Sequence, residues 1–152
     1  MRRSPTLNNR AADRAHIGAL RGRAFAGFAG MSHARIAFGK TGEDLACAEL
    51  EKRGYAIVAR RYRRRGGELD IIARDGATLV FVEVKARDGR AFGEAAEAVT
   101  GFKRRRITQL AMDYMTRHHV ADCPCRFDVV SIHVESGTPI VDVFQNAFDA
   151  VM

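Results

Sequence analysis

Residues 67–85 read Gly-Glu-Leu-Asp-Ile-Ile-Ala-Arg-Asp-Gly-Ala-Thr-Leu-Val-Phe-Val-Glu-Val-Lys: two short apolar strands about an Asp75-Gly76 turn. Three carboxylates, Glu68, Asp70 and Glu83, and one lysine, Lys85, interrupt these runs. Burying such groups unpaired costs several kcal/mol, so they must share partners. A two-residue turn at Asp75-Gly76 puts Arg74 opposite Ala77, Glu68 opposite Glu83 and Asp70 opposite Phe81. Side chains alternate along a strand, so Glu68, Asp70, Glu83 and Lys85 all project to one face, with Asp70 and Glu83 diagonal neighbours about 7 Å apart at Cβ. Two carboxylates at that spacing repel unless a cation lies between them. A hard divalent metal with oxygen ligands suits the set.

Elements on either side can add to it. Thr41 reads as a helix N-cap with Asp44 three residues on, opening a helix that runs to about Arg53 and stops at Gly54. Its apolar stripe is Ala46, Cys47 and Leu50, and Glu43 lies on that stripe. An acid there is either satisfied by the helix N-terminus or aimed at a metal. Tyr55–Tyr62 reads as a strand, residues 86–93 as a polar loop and residues 94–99 as a short helical turn. A longer helix from about Phe102 to His118 buries Ile107, Leu110, Ala111, Tyr114 and Met115. Lys103 sits over that buried face at the helix start, where a lysine can also snorkel. Arg126–Val134 and Ile140–Phe144 form two strands about Ser136-Gly137, and a helix over Asn146–Met152 closes the chain. The order α-β-β-β-α-β-β-α implies an α/β fold with a mixed central sheet of about five strands flanked by helices.

Asp70 followed by Glu83-Val84-Lys85 resembles the PD-(D/E)xK nucleases: an Asp early in one strand, then Glu-x-Lys in the next. Gly-Glu-Leu-Asp-Ile-Ile-Ala, Val-Phe-Val-Glu-Val-Lys-Ala-Arg, Arg126-Phe127-Asp128-Val129-Val130 and Asn146-Ala147-Phe148 are similar to the strings of the bacterial YraN family. The resemblance runs from about Gly39 to Phe148. It implies a restriction-endonuclease-like fold, akin to that of archaeal Holliday-junction resolvases. It further implies Mg²⁺ or Mn²⁺ held by Asp70 and Glu83, with Glu43 as a third ligand, since resolvase-like relatives carry a glutamate on the first helix. Lys85 would orient the attacking water or stabilise charge on the phosphate. Glu68 would be a general base or an acceptor behind the ligands. Lys103 matches a family lysine. Related resolvases act as dimers, so a homodimer is an expectation, although no dimer seam is legible in the sequence.

The 152 residues suit one endonuclease-like domain over 37–152, behind a basic, unstructured extension over 1–36. Seven of the 25 basic and one of the 18 acidic residues fall in that extension, so it carries +6 of the net +7. The high pI therefore says little about the domain, where local clusters matter more. Arg61, Arg63, Arg64 and Arg65 flank the proposed site in one run with Arg60, and Arg104 and Arg105 in another with Lys103 and Arg106. They are candidate phosphate contacts, the alternative being a solvated face balanced by nearby acids. Three cysteines, an odd number, point to a reducing compartment and a cytoplasmic location. His118, His119, Cys123 and Cys125 match no common zinc spacing. Gly39-Lys40-Thr41 lacks the first glycine and the preceding strand of a phosphate loop. Asp128, inside a strand, reads as a structural partner for an arginine. Three functions remain open: a metal-dependent nuclease on DNA, perhaps branched or damaged; a non-catalytic nucleic-acid-binding protein; and an interaction protein with a salt-bridge network of Lys85, Glu83 and Asp70.

Overall fold

The apolar runs become the middle of a sheet. The computed structural model describes residues 13–16, 34–87 and 99–152. In chain order the elements are β1 (Asp13–His16), α1 (Ala34–Lys52), β2 (Ala56–Arg64), β3 (Gly67–Asp75), β4 (Thr78–Arg87), α2 (Gly101–Arg117), β5 (Cys125–Glu135) and β6 (Thr138–Phe144). The sheet order is β1-β6-β5-β4-β3-β2. β2, β3 and β4 form an antiparallel meander, and the chain then returns through α2 to lay β5 parallel to β4. This is the α/β arrangement that the order of elements implies, with helices on both faces of a mixed sheet.

Position in the sheet follows composition. β4 and β5 are nearly continuous apolar runs and lie at the centre, buried on both faces, as parallel pairs require. β2 carries arginines at 60, 61, 63 and 64 and forms an edge, where charge blocks pairing with another chain. Two apolar layers result. On one face Leu45, Ala46, Cys47 and Leu50 of α1 meet Ile71, Val80, Val82, Val130 and Ile132. On the other, Ile107, Leu110, Ala111 and Tyr114 of α2 meet Ile72, Leu79, Phe81 and Val129.

Four expectations need correction. α1 begins at Ala34 rather than near Thr41, so Thr41 is a helix-interior residue and Glu43 lies too deep in the helix to be satisfied by its N-terminus. The β3–β4 turn is Gly76-Ala77, not Asp75-Gly76: the paired register runs from Asp75↔Thr78 to Ile71↔Val82. Gly76 takes φ +58° at the first central position, as a type II′ turn demands. This two-residue slide keeps the parity of the strands, and continuing the register puts Asp70 opposite Glu83 instead of Phe81. The C-terminal helix is absent. Asn146 has φ +50°, and the segment packs as an irregular cover: Ala147 N–H donates to Phe127 O at 2.8 Å, Val151 N–H to Thr108 Oγ1 at 3.1 Å, and Phe148 stacks on Phe127 at 5.1 Å. Aromatic burial there outweighs weak helix propensity over a short run. Finally, the sheet has six strands. The sixth, β1, comes from within residues 1–36, read above as unstructured, and pairs with the otherwise open edge of β6. The rest of that extension, up to residue 33, lies outside the described residues, as do the expected loop from 88 to 93 and the helical turn over 94–98.

Candidate active site

The charged residues of β3 and β4 gather at the end of the sheet where β4 finishes and β3 begins. In β4, Val82 and Val84 pack toward α1, so Glu83 and Lys85 project toward α2. In β3 the alternation breaks at Asp70: Leu69 packs with the α2 layer, Ile71 with the α1 layer, and Ile72 again with the α2 layer. The residue next to Asp70 across the β2–β3 pairing is Arg61, which holds a left-handed φ of +50°. The β3–β4 pairing also ends at Ile71↔Val82, and the Val84 N–H is taken by Asp70 Oδ2 at 2.8 Å. At this irregularity a carboxylate from α1 reaches a carboxylate from β3.

Glu43, Glu68 and Asp70 each offer a carboxylate oxygen, and these oxygens lie within 4.8 Å of one another. A hard cation with oxygen ligands at about 2.0–2.6 Å fits between donors so spaced. Burial, then the charge of Glu83, with Glu43 adding, pushes Asp70 up to about 7, against the Val84 N–H and Lys103, which act to lower it. Burial and the neighbouring acids thus favour the protonated form of Asp70.

Glu83 is 6% exposed and shared by two lysines. Its Oε1 lies 3.3 Å from Lys85 Nζ and in closer contact with Lys103 Nζ. Burial, then hydrogen bonding with Lys103, holds Lys85 below the ordinary lysine range. Lys103 goes the other way: burial would lower it, but its bond to Glu83 raises it. Thr100 caps α2 by accepting from Lys103 N at 3.3 Å, which fixes the first helical turn and the lysine on it. Lys103 therefore meets a buried carboxylate and does not merely snorkel.

The structure thus brings Glu43, Glu68 and Asp70 together, with Glu68 rather than Glu83 in the closest carboxylate trio, while Glu83, Lys85 and Lys103 form an adjoining ion-pair group. The arginines divide. Arg61 Nε donates to Glu43 at 2.6 Å, Arg60 to Asp44 at 2.6 Å, and Arg63 to Glu68. Arg64 reaches the Tyr62 hydroxyl at 3.0 Å and Asp113 at 3.4 Å. Arg104 Nε donates to the Val99 carbonyl at 2.8 Å, and its guanidinium lies 5.5 Å from the Phe148 ring centroid. Arg65 and Arg105 are exposed. The pairing of Arg61 and Arg63 with acids of the trio was not legible in the sequence, since the first depends on how β2 lies against α1 and the second on the β2–β3 register, where Arg63 is opposite Glu68. Asp128 is the structural partner that the sequence suggests: it is fully buried and bonded to Arg126, Tyr55 and the Asn146 N–H. In the run from His118 to Cys125, whose spacing suits no common zinc site, His118 stacks on Tyr114 and Cys125 Sγ contacts Met115, and the only group of three or more metal-capable side chains among the described residues is the carboxylate trio.

The Asp70 carboxylate carries a testable cost. Its folded-state pKa lies above its unfolded one, so the native state binds more protons between pH 4 and 7 and stability falls as pH rises through that window. Asp70→Asn keeps an acceptor for Val84 and removes the charge. In chelator the variant should melt higher than the parent at pH 8, by on the order of 5 °C, with the advantage vanishing near pH 4. Thermal melts at the two pH values check this, and a variant that melts lower at pH 8 would show that the charge is stabilising.

The model of "Uncharacterised protein family UPF0102" matches residues 42–132, which hold every residue of this cluster. The UPF0102 protein GSU0650 of Geobacter sulfurreducens is 47% identical over 119 residues, 78% of this chain and 93% of its own length. The UPF0102 protein STH1475 of Symbiobacterium thermophilum is 48% identical over 113 residues, 74% of this chain and 96% of its own. Among solved structures, SfsA of Pyrococcus furiosus in complex with Ca²⁺ aligns with a TM-score of 0.31 and 16% identity over 72% of this chain and 61% of that one, too low for its geometry to stand for this chain's. No helix among the described residues is long and apolar enough to cross a membrane.

Proposed function

This chain belongs to the uncharacterised protein family UPF0102, and on that premise we propose that it is a metal-dependent endonuclease that hydrolyses phosphodiester bonds in DNA. The observation that carries this reading is the trio of carboxylates within 4.8 Å, with Asp70 pushed up to about 7, beside the Glu83–Lys85–Lys103 group. A fold maintained for packing alone gains nothing from an acid held in this way. Glu43, Glu68 and Asp70 would hold Mg²⁺ or Mn²⁺, with Glu83 completing the set if it exchanges its lysines. Such an ion, when bound, activates water and neutralises charge on the pentavalent phosphate. Lys85, 3.3 Å from Glu83, would supply a cation at the reacting phosphate. Lys103 keeps Glu83 in place. The exposed Arg65 and Arg105 would contact backbone phosphates.

The reading of the cluster as a purely structural salt-bridge network has support from the two lysines on Glu83. It leaves unexplained why Asp70 is buried beside Glu43, Glu68 and Glu83, where its carboxyl is pushed up to about 7. The deciding experiment is calorimetric titration with Mn²⁺, followed by a cleavage panel of linear, single-stranded, flapped and four-way DNA in Mg²⁺ and in Mn²⁺. Metal-dependent cleavage of any of these supports the nuclease. Absence of Mn²⁺ binding with and without DNA would end it.

A further inference from the structure

Two acids of the carboxylate trio are already held by arginines from the edge strand. Arg61 Nε donates to Glu43 at 2.6 Å, and Arg63 Nε donates to Glu68. Both arginines leave a route outward: their side chains are 37% and 71% exposed. Arg61 does so from φ +50°, a left-handed backbone inside a strand that a non-glycine residue adopts only under strain. Asp70, the third acid, accepts from the Val84 N–H at 2.8 Å. Arg60 also lies 3.6 Å from Glu43 Oε2 but makes its closer contact, 2.6 Å, with Asp44, so a cation coordinated by Glu43 and Glu68 must compete chiefly with Arg61 and Arg63 for these oxygens.

We propose that Arg61 and Arg63 are exchangeable counter-ions of the site: they hold Glu43 and Glu68 in the metal-free protein, and a divalent cation frees them to bind phosphates of the DNA. This rests on the metal-dependent reading above and adds how metal and nucleic acid are coupled. The exchange conserves local charge. Each guanidinium leaves a carboxylate for a phosphate oxygen, a partner of matching planar, bidentate geometry. Both arginines sit on the exposed edge strand next to the acids, so a short side-chain rotation separates the two partners. The coupling is reciprocal, so DNA also tightens metal binding.

The test uses the full chain. Mn²⁺ is titrated calorimetrically into the parent, an Arg61→Gln/Arg63→Gln double variant, and an Arg64→Gln/Arg65→Gln control that removes the same charge from residues not paired with the trio. The first double variant should bind Mn²⁺ about tenfold more tightly than the parent, and the control within about twofold. Binding of a short duplex is then followed by fluorescence anisotropy on a Lys85→Ala background, which prevents cleavage. Adding Mn²⁺ should steepen the slope of log affinity against log salt by about two, and this change should vanish in the Arg61/Arg63 variant. Arg63→Gln alone, at the more exposed position, should remove about half of it and guards against misfolding of the double variant. Equal Mn²⁺ affinity in the double variant and the control, with a slope that Mn²⁺ leaves unchanged, would overturn the exchange while leaving a metal site standing. No Mn²⁺ binding in the parent would overturn the underlying reading instead.

Discussion

Lys85→Ala should bind Mn²⁺ like the parent and cleave DNA at least about 100-fold more slowly, the loss expected when a donor aimed at developing charge is removed. Asp70→Asn should abolish both Mn²⁺ binding and cleavage, because the amide keeps the shape but not the negative charge that a hard cation needs. The same Asp70→Asn protein should be the more stable one in chelator, for the reason given above. Opposite signs for activity and stability mark a residue kept for function. A structural salt-bridge network predicts the reverse. Each single change then lowers the melting temperature by stranding a buried charge, and removing two partners together restores much of it. Glu83→Gln should lower the melting temperature under either reading, because Lys85 and Lys103 both lose their acceptor. It therefore discriminates poorly, and Asp70 and Lys85 are the variants to make. Calorimetry, thermal melts and a single-turnover cleavage assay on these two settle the matter. Wild-type cleavage by Lys85→Ala would remove the lysine from the mechanism.

Asp128→Ala should be the most destabilising single change in the domain. Asp128 is 0% exposed and accepts from Arg126 at 2.8 and 3.0 Å, from the Tyr55 hydroxyl at 3.2 Å and from the Asn146 N–H at 2.9 Å. Arg126 is tied in turn to Asp75 at 2.9 Å and to the Tyr55 hydroxyl at 2.7 Å. The network joins β5 to the end of β3, to Tyr55 just before β2 and to the C-terminal cover. Burial first, and then the Asp128 charge, pushes the Tyr55 hydroxyl up to about 12, so it stays neutral and donates throughout the physiological range. Removing the acid leaves a largely buried guanidinium and a backbone N–H without their acceptor, a loss of about 3–5 kcal/mol. For a chain of this size that corresponds to roughly 10 °C or more in melting temperature. An Arg126→Met/Asp128→Leu pair should recover part of the loss, since it removes both charges and keeps the volume. Thermal melts of the single and double variants are the check. A fall of under about 3 °C for Asp128→Ala would show the network to be well solvated.

The linear sequence determined the elements and the chemistry available to them. Period-two strands with acids inside apolar runs, the helix stripes Ala46-Cys47-Leu50 and Ile107-Leu110-Ala111-Tyr114, and the α-β-β-β-α-β order are local patterns, and local patterns survive without knowledge of the fold. Parity carried the hairpin further than its turn did. A two-residue slide in register, from a turn at Asp75-Gly76 to one at Gly76-Ala77, changed every opposed pair in the hairpin but left Asp70 in phase with Glu83 and Lys85, because only an odd shift exchanges the faces; the break in β3 at Asp70 took Glu68 out of the face that the sequence assigns to all four. Tertiary structure decided what the pattern could not carry. The trio of Glu43, Glu68 and Asp70 spans 28 residues of chain and depends on how α1 lies over the end of β3. The lysine pair on Glu83 depends on where the crossover starts α2. The two arginine runs read alike in sequence, yet the structure gives Arg61 and Arg63 to the acids of the trio, Arg64 to Tyr62 and Asp113, and leaves Arg65 and Arg105 exposed. The C-terminal segment took its irregular path because Phe148 stacks on Phe127, a contact between residues 21 positions apart that no helical period encodes. Charge and periodicity are properties of single residues and their near neighbours, whereas a site is a property of distances between elements, and those distances are set by packing.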